Sequence, residues 1–334
     1  MKTLKVKYLS HKVEVFLENG IISRLGDYLK DDVRYFIITD LNVAHLYLDS
    51  VTKQMKKYDL YLLSSGENSK NYGEVENIIN RMLEADIQKY DFIISLGGGV
   101  VGDIAGFVAA IYKRGIRFVS IPTTLMAQVD SALGGKCGID FTANHQSYKN
   151  QIGTVYHPEA IFVDPMILKT LPKAEYLSGM AEVVKYGLCF SKKLFEQLFG
   201  AFDLEEVIFQ CLNIKAKITE KDEFDENLRM TLNYGHTVGH GLESFSQFSL
   251  SHGKAVAIGM LWETRQPEIK TRLRDLYQKL GIDGAFDFSM KDLTDFINKD
   301  KKMENENIRI PVLRSVGLIE METKPLDAFL REIA

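Results

Sequence analysis

The stretch NYGHTVGH, Asn233 to His240, sets two of the chain's seven histidines four residues apart. On a helix that spacing puts both imidazoles on one face, where they can share a metal ion. GHTVGH lacks the glutamate beside the first histidine that an HExxH hydrolase uses as its general base, which disfavours a zinc hydrolase. Other donors stand close by in sequence. His252 in SHGKA opens the next helical pattern, and Glu182 in GMAEVVKYG is a carboxylate inside an apolar helical run, with Lys185 one turn on. Two histidines and a carboxylate make a catalytic zinc shell with a position left for substrate. The spacing leaves open which two histidines would serve, and whether Glu182 is a ligand or pairs with Lys185 as a structural ion pair.

Arg229, Asn233, His236 and His240 fall at i, i+4, i+7 and i+11. A continuous helix over 227–246 carries all four as one polar stripe, extended by Glu243, with Leu228, Leu232 and Leu242 on another side. A polar stripe is usually a wet face. This one gathers two histidines, an asparagine and an arginine, and Gly235 and Gly239 permit close packing beside it, so the pattern favours a functional surface.

The second set of candidates is glycine-rich. SLGGGVVGD follows the run Phe92 to Leu96 and precedes the apolar segment Val100 to Tyr112. A strand, three glycines and a helix start let backbone approach a ligand closely and aim free N–H groups at an anion such as pyrophosphate. The spacing is not GxGxxG, so the usual dinucleotide fingerprint is absent. Two further strand ends carry polar groups: SSGENSKN offers Glu67 and Lys70, and IPTT offers Thr123 and Thr124. Polar chemistry at three successive strand ends, the ligand edge of an α/β sheet, favours a nucleotide cleft. Short loops then supply Arg114, Asp130, Lys136, Lys149 and Asn150. Cations in glycine-containing loops suit a phosphorylated or carboxylated substrate, although a single lysine there is more often solvated.

These residues need elements to hold them. In the first half, β-rich runs (VRYFIIT, LYLLS, DFIISL, IRFVSIP) alternate with helical patterns such as GEVENIINRMLEA. That alternation predicts an α/β domain with a parallel sheet. From about Leu171 the pattern predicts helices over 173–188, 203–221, 227–246, 252–264 and 268–280. The expected organisation is an α/β domain at 1–160 and a mainly helical domain at 161–334.

Length and composition agree with two soluble domains. The chain has 334 residues, 46% apolar and 26% charged, and its net charge of -4 gives no global reason to bind nucleic acid or membrane. A small molecule is the expected partner. MKTLKVKYLS has no apolar core of signal-peptide length, so a cytoplasmic location is expected. Cys137, Cys189 and Cys211 show no CxxC spacing and read as reduced packing residues.

The ordered set GGGVVGD, IPTTLMAQVDSALGGK, KNQIG, LKTLP, GMAEVVKYG, LNYGHTVGH and SHGKAVAIGM closely resembles the 3-dehydroquinate synthase family of sugar-phosphate cyclases, from about Thr39 to Gly317. The resemblance implies a Rossmann-like NAD domain followed by a helical metal and substrate domain, as a homodimer. It implies zinc, or cobalt, on Glu182, His236 and His252. It places NAD on Glu67, Lys70, Gly99, Val100, Val101, Gly102, Asp103, Thr123, Thr124, Lys136, Lys149 and Thr170. Substrate contacts would fall on Asp130, Lys136, Asn150, Lys185, Lys215, Arg229, Asn233, His240 and one of Lys301 or Lys302, with Arg114 reaching a partner subunit's site. The implied reaction turns a phosphorylated seven-carbon sugar acid into 3-dehydroquinate and phosphate, with NAD⁺ regenerated in each turnover. Three departures stand out: a longer segment between Lys136 and Lys149, HGK where the family has HGE, and DEFD where it has DERE. The nearest rivals are a cyclase acting on another sugar phosphate and a metal-dependent polyol dehydrogenase, which would release NADH.

Overall fold

A computed structural model describes residues 1–143, 146–246, 249–288 and 307–333. The four β-rich runs form β3 (Tyr35–Asp40), β4 (Tyr58–Leu63), β5 (Phe92–Gly97) and β6 (Arg117–Pro122). β5 is buried along its whole length, as a parallel strand covered on both faces must be. With β1 (Lys2–Lys7), β2 (Lys12–Leu17) and β9 (Ala160–Val163) they make one seven-stranded sheet of order β1-β2-β9-β6-β5-β3-β4. Every neighbouring pair is parallel except β1 with β2.

From β3 the chain steps outward to β4 and then returns to the other side as β5. The strand order therefore reverses between β3 and β5, and that switch opens a crevice at the carboxyl ends of the strands. The glycine run lies directly after β5. Helix Tyr72–Glu84 covers one face through Val75, Ile78 and Met82, and helix Gly99–Ile111 packs beside it through Val101, Ile104 and Val108. The other face is closed by Ile21, Leu25, Val51 and Ile167.

The short loops expected to carry Lys136, Lys149 and Asn150 are instead an antiparallel pair, β7 (Lys136–Ala143) with β8 (Gln146–Val155). The first compact unit ends at Leu171 and the second begins at Pro172, later than the expected 160/161 boundary. The reason is β9, which pairs with both β2 and β6 and so belongs to the sheet. Beyond it, the buried Asp164 carboxylate accepts the N–H groups of Gly20, Ile22 and Met166 at 2.9, 3.2 and 2.9 Å, tying this end of the sheet together.

The second unit carries helices Lys173–Phe190, Leu204–Lys221, His236–Phe245, His252–Glu263 and Pro267–Leu280. It also holds a hairpin the helical periodicity did not predict, β10 (Asn307–Ser315) with β11 (Leu318–Pro325), and a helix Leu326–Ile333. Ile308, Ile310, Val312 and Phe329 pack with Val238, Leu242, Ala255 and Ile258. The hairpin thus backs the two helices that begin at His236 and His252.

The continuous helix expected over 227–246 does not form. Leu228–Asn233 is a short 3₁₀ segment, Tyr234 is extended (φ -60°, ψ 132°), Gly235 is left-handed (φ 78°), and the α-helix starts at His236. The Asp222 carboxylate draws the chain into this turn by accepting the N–H groups of Glu226, Asn227 and Arg229 at 2.9, 2.7 and 2.9 Å. A glycine at the left-handed position makes the reversal possible at low cost. The i, i+4, i+7, i+11 series is therefore no helix face, and Arg229 and Asn233 are placed by the turn.

Candidate functional site

In the second unit, Glu182 lies mid-helix among Ala181, Val183 and Val184, and its side chain is 1% exposed. Its carboxylate has two directions. Oε2 meets the Lys185 ammonium, one turn on. Oε1 faces Nε2 of His236 and Nε2 of His252, each at 3.7 Å. The ion pair and a ligand role, alternatives on sequence grounds, are thus compatible: Oε2 is paired with Lys185, and Oε1 faces the imidazoles. One donor atom from each of Glu182, His236 and His252 lies within 4.8 Å of the others. Zinc bonds of about 2.1 Å at tetrahedral angles put ligand atoms roughly 3.4 Å apart. Two imidazoles and a carboxylate at these separations fit such an ion.

Protonation supports this reading for His236. Its Nδ1 stands 3.1 Å from the carbonyl of Tyr234. A carbonyl can only accept, so Nδ1 carries the proton and the Nε2 lone pair faces Glu182. Burial, Lys185 and the neighbouring His252 and His240 hold His236 well below the usual histidine range, which keeps the ring neutral as a ligand requires. For His252, desolvation opposes the charge, but hydrogen bonds to Glu182 and Glu243 outweigh it and push the pKa up to about 10.

His240 stands one turn beyond His236, with ring centroids 5.3 Å apart. It lies outside the Glu182, His236 and His252 donor group. It forms a second close group with Glu243 and His252. Lys185 and Lys215 are buried, and the Lys215 helix packs on the Glu182 helix. Arg229 is buried too, its guanidinium donating to the carbonyl of Glu223 at 2.7 Å. Lys254, the departure beside His252, is turned to Asp283 at 2.5 Å. Lys301 and Lys302 lie outside the described residues.

Sequence patterns missed the group that anchors His236. Buried Glu263, at the end of the His252 helix, accepts Gly235 N–H at 2.9 Å and Val238 N–H at 3.1 Å, and so serves the start of the His236 helix. Nothing local marks it, because its partners are more than twenty residues away. Glu263→Ala leaves two buried N–H groups without that acceptor and should cost roughly 3 kcal/mol. A lower urea midpoint at unchanged slope is the expected readout, with Glu263→Gln, which keeps one acceptor oxygen, falling between alanine and wild type.

In the first unit, most of the expected anion-binding residues meet at the carboxyl ends of the strands. Helix Gly99–Ile111 starts there with no side-chain cap on its first N–H groups, and a Cβ on Gly102 would meet nothing within 4 Å, so its first turn offers donors and room. Gly98, Gly102, Asp103, Ser131 and Lys136 line one recess. The Lys70 ammonium lies 2.5 Å from both Asp103 Oδ2 and Asn150 Oδ1. Lys149 stands 3.7 Å from Glu67. The β7–β8 pair is what delivers Lys136, Lys149 and Asn150, and it is fastened by the Asp140 N–H to the carbonyl of Lys70 at 2.8 Å. Thr123 N–H bonds the Gly97 carbonyl, and Thr124 Oγ1 accepts Ala127 N–H, opening the short helical turn that carries Asp130. Thr170 Oγ1 contacts Tyr47 Oη at 2.5 Å.

Arg114 is the exception. Helix Gly99–Ile111 runs away from the glycine run, so the turn after it lies at the opposite edge of the sheet, where β6 begins. Arg114 is exposed there in a left-handed conformation (φ 61°) and is not brought to the recess in its own chain. The three cysteines are buried and unbridged, and burial pushes the Cys137 thiol up to about 12, which removes it as a nucleophile near neutral pH.

Family profiles described as 3-dehydroquinate synthase N-terminal and C-terminal match residues 60–178 and 179–303. The chain belongs to the 3-dehydroquinate synthase family. Among relatives of that name, the protein of Alkaliphilus metalliredigens is 35% identical over 96% of this chain and 95% of its own. That of Thermoanaerobacter pseudethanolicus is 38% identical over 98% of each. The 3-dehydroquinate synthase fold extends to a crystal structure of 2-deoxy-scyllo-inosose synthase complexed with carbaglucose-6-phosphate, NAD⁺ and Co²⁺. That chain matches with a TM-score of 0.87 at 22% identity, over 99% of this chain and 98% of that one. The likeness agrees with the architecture expected from sequence, a parallel-sheet α/β unit followed by a mainly helical one.

Proposed function

We propose that this chain is a 3-dehydroquinate synthase of the shikimate pathway, converting 3-deoxy-D-arabino-heptulosonate 7-phosphate into 3-dehydroquinate and phosphate. The observation that carries the reading is the Glu182, His236 and His252 donor set within a chain related along its whole length to enzymes of that name. Glu182, His236 and His252 hold a divalent metal, zinc or cobalt. Gly99 to Asp103, with Glu67, Lys70, Thr123, Thr124, Lys136, Lys149 and Thr170, hold NAD. When bound, the metal supplies Lewis acidity at the C5 oxygen and NAD supplies the transient oxidation that acidifies the neighbouring C–H.

This chain's residues then mainly bind, orient and stabilise. Lys136 and Asn150 of the first unit and Lys185 and Lys215 of the second are cationic and amide groups suited to a phosphorylated substrate, and Asp130 is a further substrate contact. Arg229 suits the carboxylate, whose planar pair of oxygens a guanidinium matches. His240 and Asn233 face the hydroxyls. Homodimeric assembly in the cytoplasm is part of the proposal and gives Arg114, far from the recess of its own chain, a destination in its partner.

The test is phosphate release from the heptulosonate phosphate in the presence of NAD⁺, before and after chelation, with NADH followed by absorbance. Turnover that disappears on chelation, returns with zinc and leaves no net NADH is expected. Unchanged turnover in chelated enzyme would overturn the metal assignment. Stoichiometric NADH would identify a dehydrogenase, and release from a different sugar phosphate alone would identify another cyclase.

A further inference from the structure

His252 is the one proposed ligand whose second ring nitrogen meets a carboxylate. Its Nε2 looks toward Glu182 Oε1 at 3.7 Å while its Nδ1 stands 3.4 Å from Glu243 Oε2. Glu243 is buried, 6% exposed, on the same helix that begins at His236. That helix therefore reaches the centre twice, directly through His236 and indirectly through Glu243. The two imidazoles are arranged alike. His236 gives its Nδ1 proton to a backbone carbonyl, and His252 has a carboxylate in the equivalent position.

We propose that Glu243 is the positioning residue of the metal centre: its carboxylate accepts the Nδ1–H of His252 and holds Nε2 toward Glu182 and His236, where a metal ion would displace the Nε2 proton and take the lone pair. The inference rests on the metal reading of the preceding subsection. A carboxylate in this place fixes the tautomer and the ring orientation and makes Nε2 a better donor. The rival arrangement is a second ion held by His240, Glu243 and His252, whose donor atoms also lie within 4.8 Å of one another. It is disfavoured because His252 would have to ligate through Nδ1 while Nε2 serves the first ion, and a neutral imidazole has only one unprotonated nitrogen.

The experiment uses the full-length protein, freed of metal and titrated with Co²⁺. Wild type should bind one ion per chain with the visible bands of a low-coordinate site. Glu243→Ala should weaken binding about 10- to 100-fold and shift those bands, and Glu243→Gln, which keeps an acceptor oxygen, should recover much of the loss. Long-range ¹H–¹⁵N spectra of the zinc-loaded wild type should show His252 protonated at Nδ1, a readout independent of how the variants fold. Wild-type affinity and bands in Glu243→Ala, or His252 protonated at Nε2, would overturn the proposal. Two ions per chain, with one lost in Glu243→Ala, would overturn it in favour of a second ion site. Absence of cobalt binding by wild type, with His252 still protonated at Nδ1, would remove the metal reading itself.

Discussion

Replacing His236 with alanine is expected to lower kcat/KM for phosphate release by more than about a thousandfold, equivalent to about 4 kcal/mol of transition-state stabilisation. His236 is the buried donor whose Nδ1 is already committed to the Tyr234 carbonyl and whose Nε2 faces the Glu182 carboxylate. Its removal leaves Glu182 and His252, two protein donors where a catalytic zinc site uses three. Metal affinity should fall by more than about a hundredfold, beyond what loss of an outer-shell partner causes. Direct measurement of bound zinc after dialysis checks this apart from activity. A His236→Ala protein that retains stoichiometric zinc and near-normal turnover would remove His236 from the centre.

Gly259→Ala is expected to be among the most destabilising single-methyl additions in the second unit. A Cβ at Gly259 would sit 1.9 Å from the carbonyl oxygen of Gly235 and 3.0 Å from the N of Gly239. Both obstacles are backbone, so no rotamer change relieves them and the His236 and His252 helices must separate. Overpacking of ordinary cores costs about 1–3 kcal/mol, and a backbone clash should reach or exceed the upper figure. A fall in melting temperature of about 6–12 °C follows for a unit of this size. Gly235→Ala should act similarly, because its residue is left-handed (φ 78°) and its Cβ would lie 2.6 Å from Met260 Cγ. The distinguishing consequence is functional: spreading these helices moves His236 from His252, so zinc affinity should fall along with stability. A Gly259→Ala protein that melts like wild type would mean that the two helices are not held at this distance in solution.

The parallel strands were legible because their residues are apolar on both faces and their ends are marked by glycine, threonine and asparagine. β3, β5 and β6 fall within a few residues of the runs VRYFIIT, DFIISL and IRFVSIP. The β7–β8 pair was hidden by its glycine, lysine and asparagine content, which reads as loop, and its pairing is visible only once Lys136 meets Val155. The break at Tyr234 and Gly235 was hidden for a different reason. Arg229, Asn233, His236 and His240 have helical spacing, and nothing in that spacing reports that Asp222 binds three backbone N–H groups and turns the chain.

By itself the sequence determined the parallel strands and most of the helices, the edge of the sheet at which the glycine run stands, and the residue types needed for a metal and an anion. These follow from local chemistry: hydrophobic period, backbone freedom at glycine, and the donor atoms of histidine and carboxylate. Only the tertiary structure decided how the donors divide. Glu182 turns one oxygen to Lys185 and the other to two imidazoles, His236 and His252 come together from the starts of separate helices, and His240 is left beside Glu243. It alone revealed Glu263, because a buried carboxylate that accepts N–H groups from a distant helix leaves no periodic trace in the chain. NYGHTVGH therefore supplies two histidines in equivalent sequence positions, and the packing against the Glu182 and His252 helices makes them unequal.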